Sequence, residues 1–196
     1  DMDGASTLID ASTAMVSVVH ISNTLGTIAP VAELAELAHA HDAFCFVDGA
    51  QSVPTRPVDV DRLGADFLAF SGHKMLGPTG IGVLWGREAV LEEMDPYLYG
   101  GEMIRRVTYE DSTWEELPWK FEAGTPPIAE AIGLHAAVEY LEAIGMERVR
   151  AHEDALTAYA YDRLAASGDL DIYGPSGQDR GGLVAFNLEG VHAHDL

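Results

Sequence analysis

The chain has 196 residues, 47% of them hydrophobic, which suits a folded protein with a sizeable core and excludes a disordered segment. Its 11 basic residues stand against 32 acidic ones, and a net charge of -21 repels nucleic acid and anionic membranes, so neither is an expected partner. No apolar run approaches the roughly 20 residues needed to cross a bilayer, and a soluble, cytoplasmic protein is expected.

In chain order, "MVSVVHIS" (15–22) is a continuous apolar run, the pattern of a strand buried on both faces. The loop "SNTLGTIAP" follows, with Pro30 suited to a helix's first turn. "VAELAELAHAHD" then places Val31, Leu34, Ala35, Leu37 and Ala38 at helical spacing. "AFCFV" (43–47) predicts a second buried strand, "DVDRLG" a short helix, "DFLAF" (66–70) a third strand, "GIGVLWG" a fourth and "REAVLEEM" a helix. This alternation predicts an α/β fold, a mostly parallel sheet with helices on both faces. From 95 to 127 the pattern dissolves into about thirty residues of irregular chain, a length that marks a functional or interface loop. Two of the three tryptophans and the pair Arg105-Arg106 lie in it, as an interface favours. Helical stretches at 128–145 and 146–167 lead to "DLDIYG" and "GLVAFNL", read as strands of a smaller domain. The chain opens on Asp1 without a methionine and closes where a strand has led into what reads as a new helix. An internal piece of a longer protein is therefore expected.

In a parallel sheet the loops at the carboxyl ends of the strands converge on one crevice. Three predicted strands end there in polar groups: His20 through Asn23, then Asp48 and Gln51, then Ser71, His73 and Lys74. The chain has two lysines, Lys74 and Lys120, and Lys74 follows an apolar run and precedes the turn "GPTGIG". A partly desolvated lysine at such a mouth can lose its proton and act as a nucleophilic amine. Pyridoxal phosphate needs a lysine of this kind, an acid against its ring nitrogen, and donors around its phosphate. Asp48 fits the second need, and Ser71 and His73 can reach the phosphate. The glycines let the turn pass close to a ligand or another backbone.

"VDGAQS", "DFLAFSGHKMLGPTGIGVLWG", "GGEMI" and "WKFEAGTPP" resemble, in order and spacing, the Suf-type cysteine desulfurases of the class V aminotransferase family, fold type I pyridoxal-phosphate enzymes. The resemblance runs over essentially the whole chain. It implies a large cofactor-binding domain over 1–145 and the start of a smaller C-terminal α/β domain over 146–196. It further implies Lys74 as the Schiff-base lysine and proton carrier, Asp48 as partner of the pyridine nitrogen, and Gln51 on the ring's phenolic oxygen. Ser71 and His73 would hold the phosphate, and Asn23 the substrate carboxylate. Such enzymes are homodimers, so Gly124 and Thr125 would touch the phosphate of the other subunit's cofactor. The reaction implied takes sulfur from L-cysteine, leaving L-alanine and an enzyme persulfide that a Suf-type acceptor carries into iron–sulfur cluster assembly. The family's ring-stacking histidine and a phosphate-binding threonine would precede Asp1. Its persulfide-forming cysteine and substrate-binding arginine would follow Leu196, so residues 1–196 alone are expected to be inactive. Another class V enzyme (a selenocysteine lyase, a kynureninase-like hydrolase or an epimerase) shares the cofactor site, and a non-catalytic scaffold could keep the fold.

Other features have plainer readings. "GPTGIG" is not a nucleotide loop, because a Walker lysine follows its glycines whereas Lys74 precedes them. His39 with His41 and His192 with His194 are spaced i, i+2, which on a helix points the rings apart, so no metal site is expected. Cys45, the single cysteine, sits mid-strand in "AFCFV" and is expected in the core as an inert thiol, in a reducing compartment. Nine of the eleven basic residues are arginine, and the dense carboxylate surface suggests a high-salt cytoplasm, where screening relieves self-repulsion. The denaturation midpoint should therefore rise between low and molar potassium chloride; equal midpoints would remove the halophilic reading.

Overall fold

Residues 1–177 and 180–196 are described by a computed structural model of the chain. The first helix, α1 (Met2–Leu8), was not legible as a periodic pattern; its start is set by Asp1, whose carboxylate accepts from the Gly4 amide at 3.2 Å. The apolar runs form strands β1 (Met15–Val19), β2 (Phe44–Asp48), β3 (Phe67–Ser71) and β4 (Gly82–Gly86) in one sheet of order β1-β2-β3-β4. β1, β2 and β3 are parallel, and β4 runs antiparallel to β3. Between the parallel strands lie α2 (Val31–His39) and the short α3 (Val60–Leu63). α3 is capped by Asp59, which accepts from the amides of Asp61 and Arg62, and ends at Gly64 with φ 67°.

Successive side chains in a strand point to opposite faces. On one face Cys45, Val47 and Leu68 pack with Val31, Ala35 and Ala65 into the main core. A second cluster, Met75 with Leu134 and Leu141, seats α5 (Ile128–Ile144) beside it, in contact with Phe70 and Ile81. The opposite face is met at its β4 end by α4 (Glu88–Glu93), where Leu91 and Phe67 both close over Gly86. Helices thus approach both faces, but Met15, Val19 and Phe44 remain 46%, 45% and 42% exposed. The expectation of strands buried on both faces holds only for the core face of β2; β1 is half-buried on that face and exposed on the other.

The segment 95–127 is less irregular than its sequence implies. It contains the antiparallel pair β5 (Ile104–Val107) and β6 (Ser112–Trp114), with a register shift between Ile104 and Arg106. The hairpin is closed by Thr108, whose amide and hydroxyl donate to the Asp111 carbonyl at 2.8 and 3.0 Å. Such side-chain turn chemistry leaves no periodic trace. Gly145, at φ 91°, breaks the helical run between α5 and α6 (Met146–Ala165), a backbone state that a side chain would strain. β7 (Leu170–Tyr173) and β8 (Ala185–Leu188) pair antiparallel in a second small sheet, and the expected new helix near the end is a single 3-10 turn, Ala193–Asp195. Among the described residues no helix is long and apolar enough to cross a membrane.

One carboxylate ties the amino edge of the sheet together. Asp66, 5% exposed, accepts from the Cys45 amide at 2.7 Å, and its Oδ2 lies 2.8 Å from His39 Nε2. Its Oδ1 pairs with Arg87 Nε at 3.1 Å, while its backbone amide donates to the Cys45 carbonyl and its carbonyl accepts from the Arg87 amide. α2, β2, β3 and the β4–α4 junction therefore meet on one residue. Removing the carboxylate leaves the buried Cys45 amide unpaired, at a cost of about 1–3 kcal/mol, while His39 and Arg87 can turn to solvent. Asp66→Ala should lower unfolding stability by about 2 kcal/mol, measured by urea denaturation; a loss below about 1 kcal/mol would mean that the network is worth no more than a surface pair.

Candidate functional site

The turn that carries Lys74 is built by close backbone approach. β3 ends at Ser71, and Gly72–Met75 form one 3-10 turn, closed by the Gly77 amide donating to the Gly72 carbonyl at 3.0 Å. The Gly72 amide in turn donates to the Ile81 carbonyl at 2.9 Å. A Cβ on Gly77 would lie 2.8 Å from the Gly72 oxygen, and one on Gly72 would lie 2.9 Å from Ile81 Cγ2. Of the two approaches that the glycines of GPTGIG allow, Gly77 thus serves the one to another backbone. Met75 points into the core beneath α5, which leaves Lys74 on the other side of the turn.

Register brings the acid to the same place. Val19 pairs with Asp48, and Asp48 with Ala69, so residues of one parity at these strand ends face the open side of the sheet. Asp48, Ser71 and Lys74 line one recess of about 480 Å³, together with Ser17, Val19 and Phe46. Asp48 is half-buried, and its Oδ1 accepts from the Ala50 amide at 2.9 Å, which fixes the carboxylate's orientation. An amine, an oriented carboxylate and a hydroxyl beside apolar walls form a donor set that could hold an aldehyde-bearing, phosphorylated aromatic ring. Lys74 is exposed, so the partial desolvation expected of it is not supplied by these residues. The wall residues Ser17, Val19 and Phe46 escaped sequence reading; their shared parity with Asp48 was the available signal.

The remaining predicted residues are placed less tightly. His73 lies in the same turn as Lys74 and is exposed, and Gln51 is half-buried in the turn after β2, its carbonyl accepting from Thr55 Oγ1 at 2.9 Å. Asn23 is exposed, with its Oδ1 3.4 Å from the Thr24 hydroxyl. His20 does not join the recess. Its amide donates to the Asp48 carbonyl at 3.0 Å, but its ring lines a separate cavity with Arg56 and Arg150, where burial, then Arg56, hold its pKa below the usual value. Gly124 and Thr125 line another recess, of about 330 Å³, with Glu102 and Trp119. Lys120 is committed elsewhere: its Nζ donates to the carbonyls of Leu91 and Glu92 at 3.1 and 2.8 Å, capping the end of α4. Among the described residues no group of three or more His, Cys, Asp or Glu side chains could hold a metal ion.

Known proteins resemble the chain along its whole length. The family profile described as Aminotransferase class-V matches residues 1–196. A Haloferax volcanii protein named cysteine desulfurase is 70% identical over 196 residues, covering 100% of this chain and 46% of that protein. The crystal structure of the Escherichia coli cysteine desulfurase CsdA superposes with a TM-score of 0.93 at 39% identity, over 100% of this chain and 48% of its own. A C-DES variant with glycine covalently linked to its PLP cofactor superposes at 0.84 with 27% identity, over 94% of this chain and 49% of its own. The chain thus spans just under half the length of these relatives.

Cys45 stands apart from the recess, on the opposite face of β2, fully buried. Burial, with Asp66 adding to it, raises its thiol pKa to about 11. The expectation of an inert core thiol holds, because the thiolate is the reactive form. Iodoacetamide at pH 8 should leave the Cys45 peptide unlabelled in the native protein and label it after unfolding in urea. Rapid native labelling at that pH would show that this strand face opens.

Proposed function

The chain belongs to the class-V aminotransferase family, and from that premise we propose pyridoxal-phosphate-dependent cysteine desulfuration as its function. L-cysteine would yield L-alanine, its sulfur passing to an enzyme thiol as a persulfide destined for iron–sulfur cluster assembly through a Suf-type acceptor. The observation that carries this reading is the convergence of Lys74, Asp48 and Ser71 on one recess, in a chain that matches desulfurases over its whole length.

The residues divide the work by chemistry. The cofactor, when bound, supplies an electron sink for the substrate's α carbon. Lys74 Nζ would be the covalent attachment point and would carry a proton to and from that carbon. Asp48, whose carboxylate is oriented by the Ala50 amide, would keep the ring nitrogen protonated. Gln51 is assigned to the phenolic oxygen, Ser71 and His73 to the phosphate, and Asn23 to the substrate carboxylate. Gly124 and Thr125 line a recess other than that of Lys74, which supports their assignment to a partner's cofactor in a homodimer. Exposed Tyr97, Leu98, Trp119 and Ile132 favour the same assembly. The persulfide-forming thiol is assigned to a residue other than Cys45, whose burial denies it access to substrate. The domain boundary is placed at Gly145 and the location in the cytoplasm. The dense acidic composition is assigned to a high-salt interior, where screening relieves self-repulsion.

Borohydride reduction of the cofactor-loaded protein, followed by peptide mapping, should fix the cofactor on Lys74, and Lys74→Ala should abolish the label. A label on Lys120 would overturn the assignment. Asp48→Asn should retain bound cofactor, read from its absorbance, while kcat falls by about a hundredfold or more, because an amide cannot hold the ring proton. A variant keeping most of its rate would make Asp48 a structural residue only.

A further inference from the structure

We propose that Arg180 is a positioning residue for the loop Ser22–Thr27: its guanidinium fastens this loop, which carries Asn23, to the β7–β8 sheet and so sets where the Asn23 amide meets substrate. The substrate half of this proposal rests on the desulfurase reading above. Arg180 is 1% exposed, although arginine is rarely buried without a task. Its Nη2 donates to the Leu25 carbonyl at 3.2 Å and to the Tyr173 carbonyl, at the end of β7, at 2.7 Å. Its guanidinium carbon lies 5.2 Å from the ring centre of Tyr161 on α6.

The backbone repeats the fastening. The Gly181 amide donates to the Gly26 carbonyl at 2.8 Å, and Thr27 and Arg180 form an isolated antiparallel bridge. A Cβ on Gly174, next to Tyr173, would collide with the Leu25 carbonyl oxygen, so the two segments touch through backbone. Within the loop, Ser22 Oγ accepts from the amides of Thr24 and Leu25 at 3.2 and 3.1 Å, and the Gly26 amide donates to the Ser22 carbonyl at 3.0 Å. Ile21 and Ile28 bridge at its neck, and the adjoining His20 amide donates to the Asp48 carbonyl. A continuous set of hydrogen bonds therefore runs from Arg180 through the loop to the strand end that carries Asp48. Asn23 itself is exposed, and among the described residues its side chain is held by nothing closer than the Thr24 hydroxyl at 3.4 Å. Its position is set by the backbone of the loop, which is what Arg180 holds.

The test uses the full-length protein loaded with pyridoxal phosphate. In Arg180→Met, which keeps the stem and removes the donors, amides within 22–28 should exchange hydrogen about tenfold faster, while amides of β2 and β3 keep their rates. KM for L-cysteine should rise about tenfold, with kcat changed less than about threefold and the cofactor absorbance intact. Arg180→Lys should fall between the two, and joining Arg180→Met to Asn23→Ala should raise KM no further than Asn23→Ala alone. Should Arg180→Met fail to fold, Arg180→Lys is judged by the same exchange and KM criteria. Unchanged loop exchange, or additive effects of the two substitutions, would overturn the proposal. A parent protein that neither binds the cofactor nor turns over L-cysteine overturns the desulfurase reading and the substrate half with it, while the exchange rates still decide the fastening.

Discussion

The sheet depends on one buried carboxylate. Asp66 sits where β3 begins and takes bonds from the last residue of α2, the second residue of β2 and the residue after β4. A charge so placed is tolerated only because both oxygens are engaged. With its amino edge fixed this way, the sheet holds its register, and register decides which side chains meet at the other edge. Slipping β2 by one residue would turn Asp48 into the core and Val47 toward the recess. The polar groups at the carboxyl edge are thus positioned by a network at the far end of the same strands.

The two lysines illustrate how placement, not residue type, makes a reactive group. Lys120 spends its ammonium on the carbonyls that end α4, a structural role in which its proton is needed. Lys74 stands on a turn whose backbone is closed by Gly72, Gly77 and Ile81, with an oriented carboxylate in the same recess. Cys45 makes the complementary point: a residue type associated with sulfur chemistry is silenced by lying on the core face of β2 beside a buried carboxylate.

The β7–β8 sheet is not an appendage in this architecture. Gly145 turns the chain from α5 into α6, and α6 leads to β7 and β8, whose connecting segment returns to the loop after β1. Residues more than 150 positions apart are thereby joined at a loop that flanks the carboxyl edge. Backbone contact of this kind needs small residues on both sides, and Gly26, Gly174 and Gly181 supply them.

The sequence by itself determined the strand and helix order, the parallel core of the sheet, the burial of Cys45 and the shared edge of Asp48, Ser71 and Lys74. These follow from apolar runs, helical spacing and polar residues at strand ends, all local signals. Tertiary structure alone decided the rest. The open face of the sheet depends on which helices pack where, and no strand pattern records the absence of a neighbour. The β5–β6 hairpin rests on Thr108 and Asp111 turn bonds in a segment without periodicity. His20 reads as a site residue from its position, yet pairing register turns its ring toward Arg56 instead. The commitment of Lys120 to α4, the Asp66 network and the reach of Arg180 to Leu25 all join residues distant along the chain. Side-chain contacts across such separations are fixed by packing, which a local pattern cannot encode.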